Sequence, residues 1–348
     1  MVPTGRDNLT AVLERYPAIA RPYRKPEALG NAGGYSGARL WRYESGRGWL
    51  VARAWPQDGP DRTGLEQIHR WLDATASLGF VPIPLPALDG RTVQEHRGRL
   101  WDVSPWLKGA SAPERPPLRL RLRSGFAALA AFHQALRSEQ TRGPSPGILA
   151  RLRELEGLLH DGFDALEHAL DRAAADPHCA AARGWLSLAR TTGGRLIEPL
   201  RRASARVVPL QPCLRDARPE HLLFSGDRVT GLIDFGAMAV DSVAADLARL
   251  LGEWVGSDPR TRAEALDAYT LVRPLEAAEI ALLDVFEDSS ALLGAGHWVR
   301  WHFLEGRKFD DPSSVADGIE RGLQRLAVRA LAWESVGRGV DLLRGQHE

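Results

Sequence analysis

Two carboxylates and an imidazole stand at suggestive offsets in the second half of this chain: Asp216, then His221 five residues later, then Asp234 eighteen residues after Asp216. Asp216 lies in the run Leu214-Arg215-Asp216-Ala217-Arg218-Pro219, and Asp234 opens Asp234-Phe235-Gly236. Between them, residues 222–224 and 229–233 read as strands around the turn Ser225-Gly226-Asp227-Arg228, so a hairpin would hold the two acids apart while both face one cleft. One carboxylate in such a pair can orient a hydroxyl and accept its proton, while the other holds a divalent cation. A second candidate segment, residues 29–38, is rich in glycine and precedes a strand. Gly33, Gly34 and Gly37 would let backbone amides approach phosphate oxygens, and the Ser36 hydroxyl could add a donor. No Gly-Lys-Ser/Thr follows, which excludes a Walker-type phosphate loop. Position 38 is alanine, so Gly34-Tyr35-Ser36-Gly37-Ala38 is not the nucleophile elbow of a serine hydrolase either.

The elements that must position these residues fall into two groups. Strands are predicted over 38–43 and 49–55, joined by the turn-rich 44–48, and again over 92–96 and 100–105. Apolar residues at Leu65, Ile68, Trp71, Leu72 and Ala76 predict a helix over 61–78, and the prolines of 81–86 forbid one there. Past Trp106 the pattern turns helical, over 119–137, 147–175, 179–204 and from 241 onward. A small β-rich first region, residues 1–105, thus precedes a larger, mostly helical one, residues 106–348. The fold class expected is α+β.

With these motifs in place, the chain resembles the aminoglycoside phosphotransferase and choline kinase-like family over residues 25–255. That resemblance implies a bilobal protein kinase-like fold and transfer of phosphate from ATP, with Mg²⁺ or Mn²⁺, to the hydroxyl of a small-molecule acceptor. It implies that Asp216 is the base or orienting group, with Arg215 beside it setting the loop or meeting phosphate. It makes Asp234 the metal ligand and residues 33–37 the phosphate-covering hairpin. On the following strand Val51 would pack on adenine and Arg53, on the same face, would reach phosphate. Glu66, on the next helix, is the candidate partner of Arg53. Val81-Pro82-Ile83-Pro84, the helix run 129–133, Asp241 and Asp246 are further, architectural echoes, and His133 reads as a hydrogen-bonded core histidine.

Three positions depart from the family pattern. Leu214 replaces a histidine and keeps its packing without its hydrogen bonds. Arg53 replaces a lysine; other lysines occur only at Lys25, Lys108 and Lys308. His221 replaces an asparagine, and imidazole nitrogen suits softer ions such as Mn²⁺ better than Mg²⁺. Either His221 binds the metal, or Asp234 and phosphate hold it with extra waters. These departures define the alternative reading, a catalytically weak or inactive nucleotide-binding pseudokinase with a regulatory role.

Composition bounds the rest. The 45 basic and 44 acidic residues nearly cancel, which argues against a nucleic-acid partner. No stretch reads as membrane-spanning or as a signal peptide, so the expectation is a cytoplasmic protein, with Cys179 and Cys213 as free thiols. His297 and His302 are about 140° apart at helical pitch and do not share a metal easily. Asp284, Glu287 and Asp288 read as a solvated acidic helix face. The oligomeric state is not legible in the sequence.

Overall fold

Alternation along one strand organises the N-terminal sheet of the computed structural model, which describes residues 5–30, 37–111, 114–307, 309 and 313–344. Five strands, β1 (Glu27–Gly30), β2 (Arg39–Ser45), β3 (Gly48–Ala54), β4 (Gln94–His96) and β5 (Arg99–Pro105), pair antiparallel in the order β1-β2-β3-β5-β4. Leu50, Ala52 and Ala54 of β3 share a core with Tyr43, Trp101 and Val103. That core is closed by Leu9, Val12 and Leu13 of a helix, α1 (Gly5–Leu13), and by Tyr16 just after it. Their spacing is an amphipathic stripe, and burying each such side chain is worth about 1.5–3 kcal/mol. The opposite face carries Val51 and Arg53. Beyond the strand end, Trp55 packs there with Val93, Leu100 and Leu65 of α2 (Arg62–Asp73). Helix α2 starts where the Asp61 carboxylate accepts from the Gly64 amide at 2.7 Å, and it stops short of the predicted end, giving way to a separate 3₁₀ turn, Ala76–Leu78.

The chain divides into two compact units, Met1–Thr141 with Gln211–Leu275, and Arg142–Leu210 with Glu276–Glu348. The first holds the sheet just described, and its later segments build a second framework. A two-residue strand, β6 (Ala110–Ser111), leads to α3 (Arg119–Ala135), and β7 (Thr141–Gly143) lies at the boundary. β8 (Val208–Cys213) enters the segment that carries Asp216. The predicted hairpin is present as β9 (Leu222–Ser225) and β10 (Arg228–Leu232), antiparallel, with Gly226 at φ +60° in its turn. The Leu232 amide donates to the Phe80 carbonyl at 2.8 Å, which ties the hairpin to the segment after α2. β11 (Ala239–Asp241) pairs antiparallel with β8, and α7 (Ala244–Leu250) and α8 (Pro259–Thr270) follow. Gly125 on α3 is a close-approach glycine, since a Cβ there would meet the Trp254 ring at 2.7 Å.

The second unit is helical: α4 (Pro146–Gly157), α5 (Phe163–Arg172), α6 (Cys179–Ser204), α9 (Ala277–Phe303) and α10 (Ser313–Arg344). The predicted helix over 147–175 is two helices joined by the wider turn Leu158–Gly162. Trp185 of α6 is fully buried, donates to the Leu292 carbonyl at 2.9 Å, and fills the space left by Gly296. On the acidic face of α9, Asp284 is exposed as expected, but Glu287 and Asp288 are not solvated. Glu287 is 5% exposed, and Arg329 of α10 lies 3.2 Å from it and 2.7 Å from Asp288, because two long helices pack there. Cys179 and Cys213 are buried free thiols.

Candidate active site

The loop carrying Asp216 is held in shape by a buried carboxylate from a later helix. Asp246 of α7 is fully buried and accepts from the amides of Leu214 at 2.7 Å and Arg215 at 2.6 Å. The same carboxylate meets the core directly: His133 Nε2 lies 3.0 Å away, and His133 Nδ1 lies 2.8 Å from the Tyr269 hydroxyl. Gln211 donates to the His133 carbonyl and accepts from Arg273. Anchored in this way, Arg215 takes φ +64°, a left-handed conformation that a non-glycine side chain adopts only under constraint. The Arg215 guanidinium turns toward Asp241, at 3.7 Å.

Asp216 itself meets two arginines. Its Oδ1 accepts from Arg218 Nε at 2.9 Å and from Arg249 Nη2 at 3.2 Å, and its side chain keeps 34% exposure. Burial alone would raise its pKa, but Arg249 and Arg218 outweigh that and hold the carboxyl below its usual range. Arg249 also reaches Glu253 at 3.4 Å. Neither Arg218 nor Arg249 has a role legible in the sequence, although Arg218 sits in the motif run only two positions past Asp216; Arg249 becomes a neighbour only through the placement of α7.

His221 links the Asp216 backbone to the Asp234 carboxylate. Its Nδ1 lies 2.9 Å from the Asp216 backbone carbonyl, which can only accept, so Nδ1 carries a proton. Nε2 then faces the Asp234 carboxylate, 3.5 Å from Oδ2. In a neutral ring that nitrogen is also an acceptor, so two lone-pair sites confront each other. A proton or a cation between them resolves the conflict. The spacing suits a bridging cation, whose adjacent ligands stand about 3.0–3.4 Å apart at metal–ligand distances near 2.1 Å. Asp234 is at φ +67°, so its turn is also constrained. These residues, as a donor set, fit a divalent ion.

The strand β3 end reaches the same turn. A Cβ on Gly236 would lie 3.0 Å from the Trp55 ring, so glycine lets the indole pack directly on the turn after Asp234. Arg53 lies over the Trp55 ring at 4.8 Å. It does not pair with Glu66, whose contact is Arg62, one turn earlier on α2, at 3.7 Å. The acid beside Arg53 is Asp102, its cross-strand partner on β5, 5% exposed. Asp102 accepts from Trp55 Nε1 at 2.5 Å and lies 3.8 Å from His69 Nε2. Burial works to raise its pKa, and His69, Arg53 and Trp55 together lower it. The reason Glu66 fails is helical phase: α2 buries Leu65, Ile68, His69 and Leu72, so the residue aimed at the sheet is His69. Asp102→Asn is expected to cost about 1.5–3 kcal/mol, the range for a hydrogen bond to a charged group. Glu66→Gln, by contrast, should cost under about 0.5 kcal/mol, as its ion pair is largely exposed. Urea midpoints of the two variants check this order.

Val51, 9% exposed, shares the Arg53 face as expected. Gly37 is described, at φ +71°; Gly33, Gly34 and Ser36 lie outside the described residues.

A family model described as the phosphotransferase enzyme family matches residues 27–283. The chain belongs to that family. Its curated relatives include a homoserine kinase of Parvibaculum lavamentivorans (strain DS-1 / DSM 13023 / NCIMB 13966), 46% identical over 82 residues, which are 22% of this chain and 26% of that protein. The homoserine kinase of Sinorhizobium medicae (strain WSM419) is 28% identical over 216 residues, 61% of this chain and 60% of that protein. The chain therefore spans between a quarter and three fifths of the length of these relatives. Among solved structures, an amicoumacin kinase in complex with AMP-PNP, Ca²⁺ and Ami superposes with a TM-score of 0.64 at 13% identity, over 93% of this chain and 94% of the other. The β-sheet N-terminal region and helical C-terminal region thus form the protein kinase-like fold expected from the motifs. Among the described residues no helix is long and apolar enough to cross a membrane.

Proposed function

We propose that this phosphotransferase-family chain moves the γ-phosphate of ATP to a hydroxyl of a small molecule. The observation that carries the reading is His221, whose ring runs from the Asp216 backbone carbonyl to the Asp234 carboxylate and so joins the two acidic segments. Asp216 orients the acceptor hydroxyl and takes its proton as the oxygen bonds to phosphorus and ADP leaves. Asp234 and His221 hold the divalent cation, Mg²⁺ or Mn²⁺, which neutralises phosphate charge when bound. Arg53, opposite Asp102 and over the Trp55 ring, is the phosphate-facing cation; residues 33–37 are assigned to the phosphates and Val51 to the adenine side. The bound AMP-PNP and Ca²⁺ of the amicoumacin kinase support nucleotide and cation as cofactors.

The acceptor we favour is a small hydroxy amino acid of the homoserine type. Relatives with that name support it, and so do the Arg218 and Arg249 guanidinium groups at Asp216, which suit a carboxylate near the reacting hydroxyl and disfavour a polycationic amino sugar. The same two arginines favour the second reading, an inactive nucleotide-binding regulator, because both bind Oδ1 and draw charge from the carboxylate that a base must offer.

ADP release measured with homoserine, choline and an amino sugar, in Mg²⁺ and in Mn²⁺, separates these. The expected result is homoserine-stimulated turnover, with Mn²⁺ at least as effective as Mg²⁺, and a shift of preference toward Mg²⁺ in His221→Asn. Nucleotide-dependent thermal stabilisation with no acceptor-stimulated turnover would instead establish the regulator. A metal preference untouched by His221→Asn would remove His221 from the cation site.

A further inference from the structure

A second set of metal-ligand side chains converges in the helical unit, with no part in phosphate chemistry. Asp176 and His178 lie in the turn between α5 and α6, and His302 lies in the last turn of α9. One ligand atom from each falls within 4.8 Å of the others. Asp176 Oδ2 and His302 Nε2 are 2.8 Å apart, and the two imidazole rings stand 5.3 Å apart at 81°. The other Asp176 oxygen accepts from the His178 amide at 2.9 Å. That bond locks the carboxylate's orientation in the way that outer hydrogen bonds orient metal ligands. Asp176 and His302 side chains each keep 25% exposure, enough for an ion and water to enter.

We propose that Asp176, His178 and His302 form a binding site for a zinc-class divalent transition ion. Two nitrogens and one carboxylate oxygen are a borderline-soft donor set that favours zinc over Mg²⁺ or Ca²⁺, which call for oxygen. Around a tetrahedral zinc the ligand atoms stand about 3.4 Å apart. To reach that size the 2.8 Å Asp176–His302 pair must open slightly and the ligand atoms, now within 4.8 Å of one another, must adjust by side-chain rotation, with water in the fourth position. Cys179, next in sequence, is not a ligand: its thiol donates to the Ala173 carbonyl at 2.9 Å, back toward the end of α5. Binding would tie the turn ahead of α6 to the end of α9, two segments that sequence separates by more than a hundred residues.

The competing explanation is a plain Asp176–His302 hydrogen bond, for which the His178 ring is dispensable. His178→Ala therefore decides, because it removes a ligand and leaves that pair and the His178 amide intact. The full chain, stripped with chelator, is titrated with Zn²⁺ against a chromophoric chelator, and with Co²⁺ for its visible ligand-field absorption. Asp234→Ala serves as the background in which the other cation site is disabled. The expected result is one tight zinc per Asp234→Ala chain, and affinity weakened by at least about 100-fold when His178→Ala or His302→Ala is added. Circular dichroism confirms that the helices persist. Zinc affinity unchanged by His178→Ala, or no zinc bound in the Asp234→Ala background, overturns the proposal.

Discussion

Asp216→Asn is expected to lower turnover by about 10²–10⁴-fold, the usual contribution of a positioned general base, while nucleotide binding survives. Asparagine keeps the shape of the side chain, and its carbonyl oxygen can still accept from Arg218 and Arg249. What disappears is the capacity to take a proton. Acceptor-saturated ADP release together with nucleotide thermal shifts separates the two effects. A rate within about threefold of the parent would show that Asp216 serves only the structure of its loop. The pH dependence carries the same logic. Arg249 and Arg218 hold the Asp216 carboxyl below its usual range against the opposing effect of burial. The group is therefore ionised throughout neutral pH, and its acid limb falls below the ordinary aspartate value of about 3.9. Removing one positive neighbour in Arg249→Gln raises that pKa, so the acid limb of the rate profile must move upward. A limb that stays in place, or moves down, contradicts the assignment.

Asp246→Asn is expected to destabilise the protein by about 3–5 kcal/mol, the range for breaking one half of a buried charged network. The residue has no exposed surface, and three N–H or imidazole groups point at its two oxygens. An amide nitrogen in place of either oxygen would meet at least one donor head-on and leave both unsatisfied. The Leu214 and Arg215 amides are the ones released, so the left-handed turn at Arg215 should relax and Asp216 should lose its position. Chemical denaturation reads the first effect, and turnover per folded molecule reads the second. A midpoint shift worth less than about 1 kcal/mol would mean that the loop holds itself.

Much of the candidate site's layout was open to inspection along the chain. The offsets of Asp216, His221 and Asp234, and the hairpin between them, depend on residues less than twenty positions apart. Local spacing and turn chemistry act at that range, so β9, β10 and the two acids follow from them directly. The β3 alternation that puts Val51 and Arg53 on one face is local in the same sense. α1 was also there to be read, in the spacing of Leu9, Val12, Leu13 and Tyr16, yet its polar residues obscured the stripe. β8 was missed because Pro209 and Pro212 suppress a strand signal, although its amide pairing needs only alternate residues.

Tertiary structure alone chose the partners. Asp102 stands opposite Arg53 because β5 pairs with β3 in one register, and a slip of one residue would have turned it to the other face. Glu66 loses that role to Asp102, because the phase of α2, set by the side chains it buries, turns His69 and not Glu66 to the sheet. Arg249 reaches Asp216 from 33 residues away only because α7 is anchored through Asp246. Types and intervals thus determine which chemistry the chain can attempt. Which charges surround it is decided by register and helix phase, since both come from packing between segments far apart in sequence.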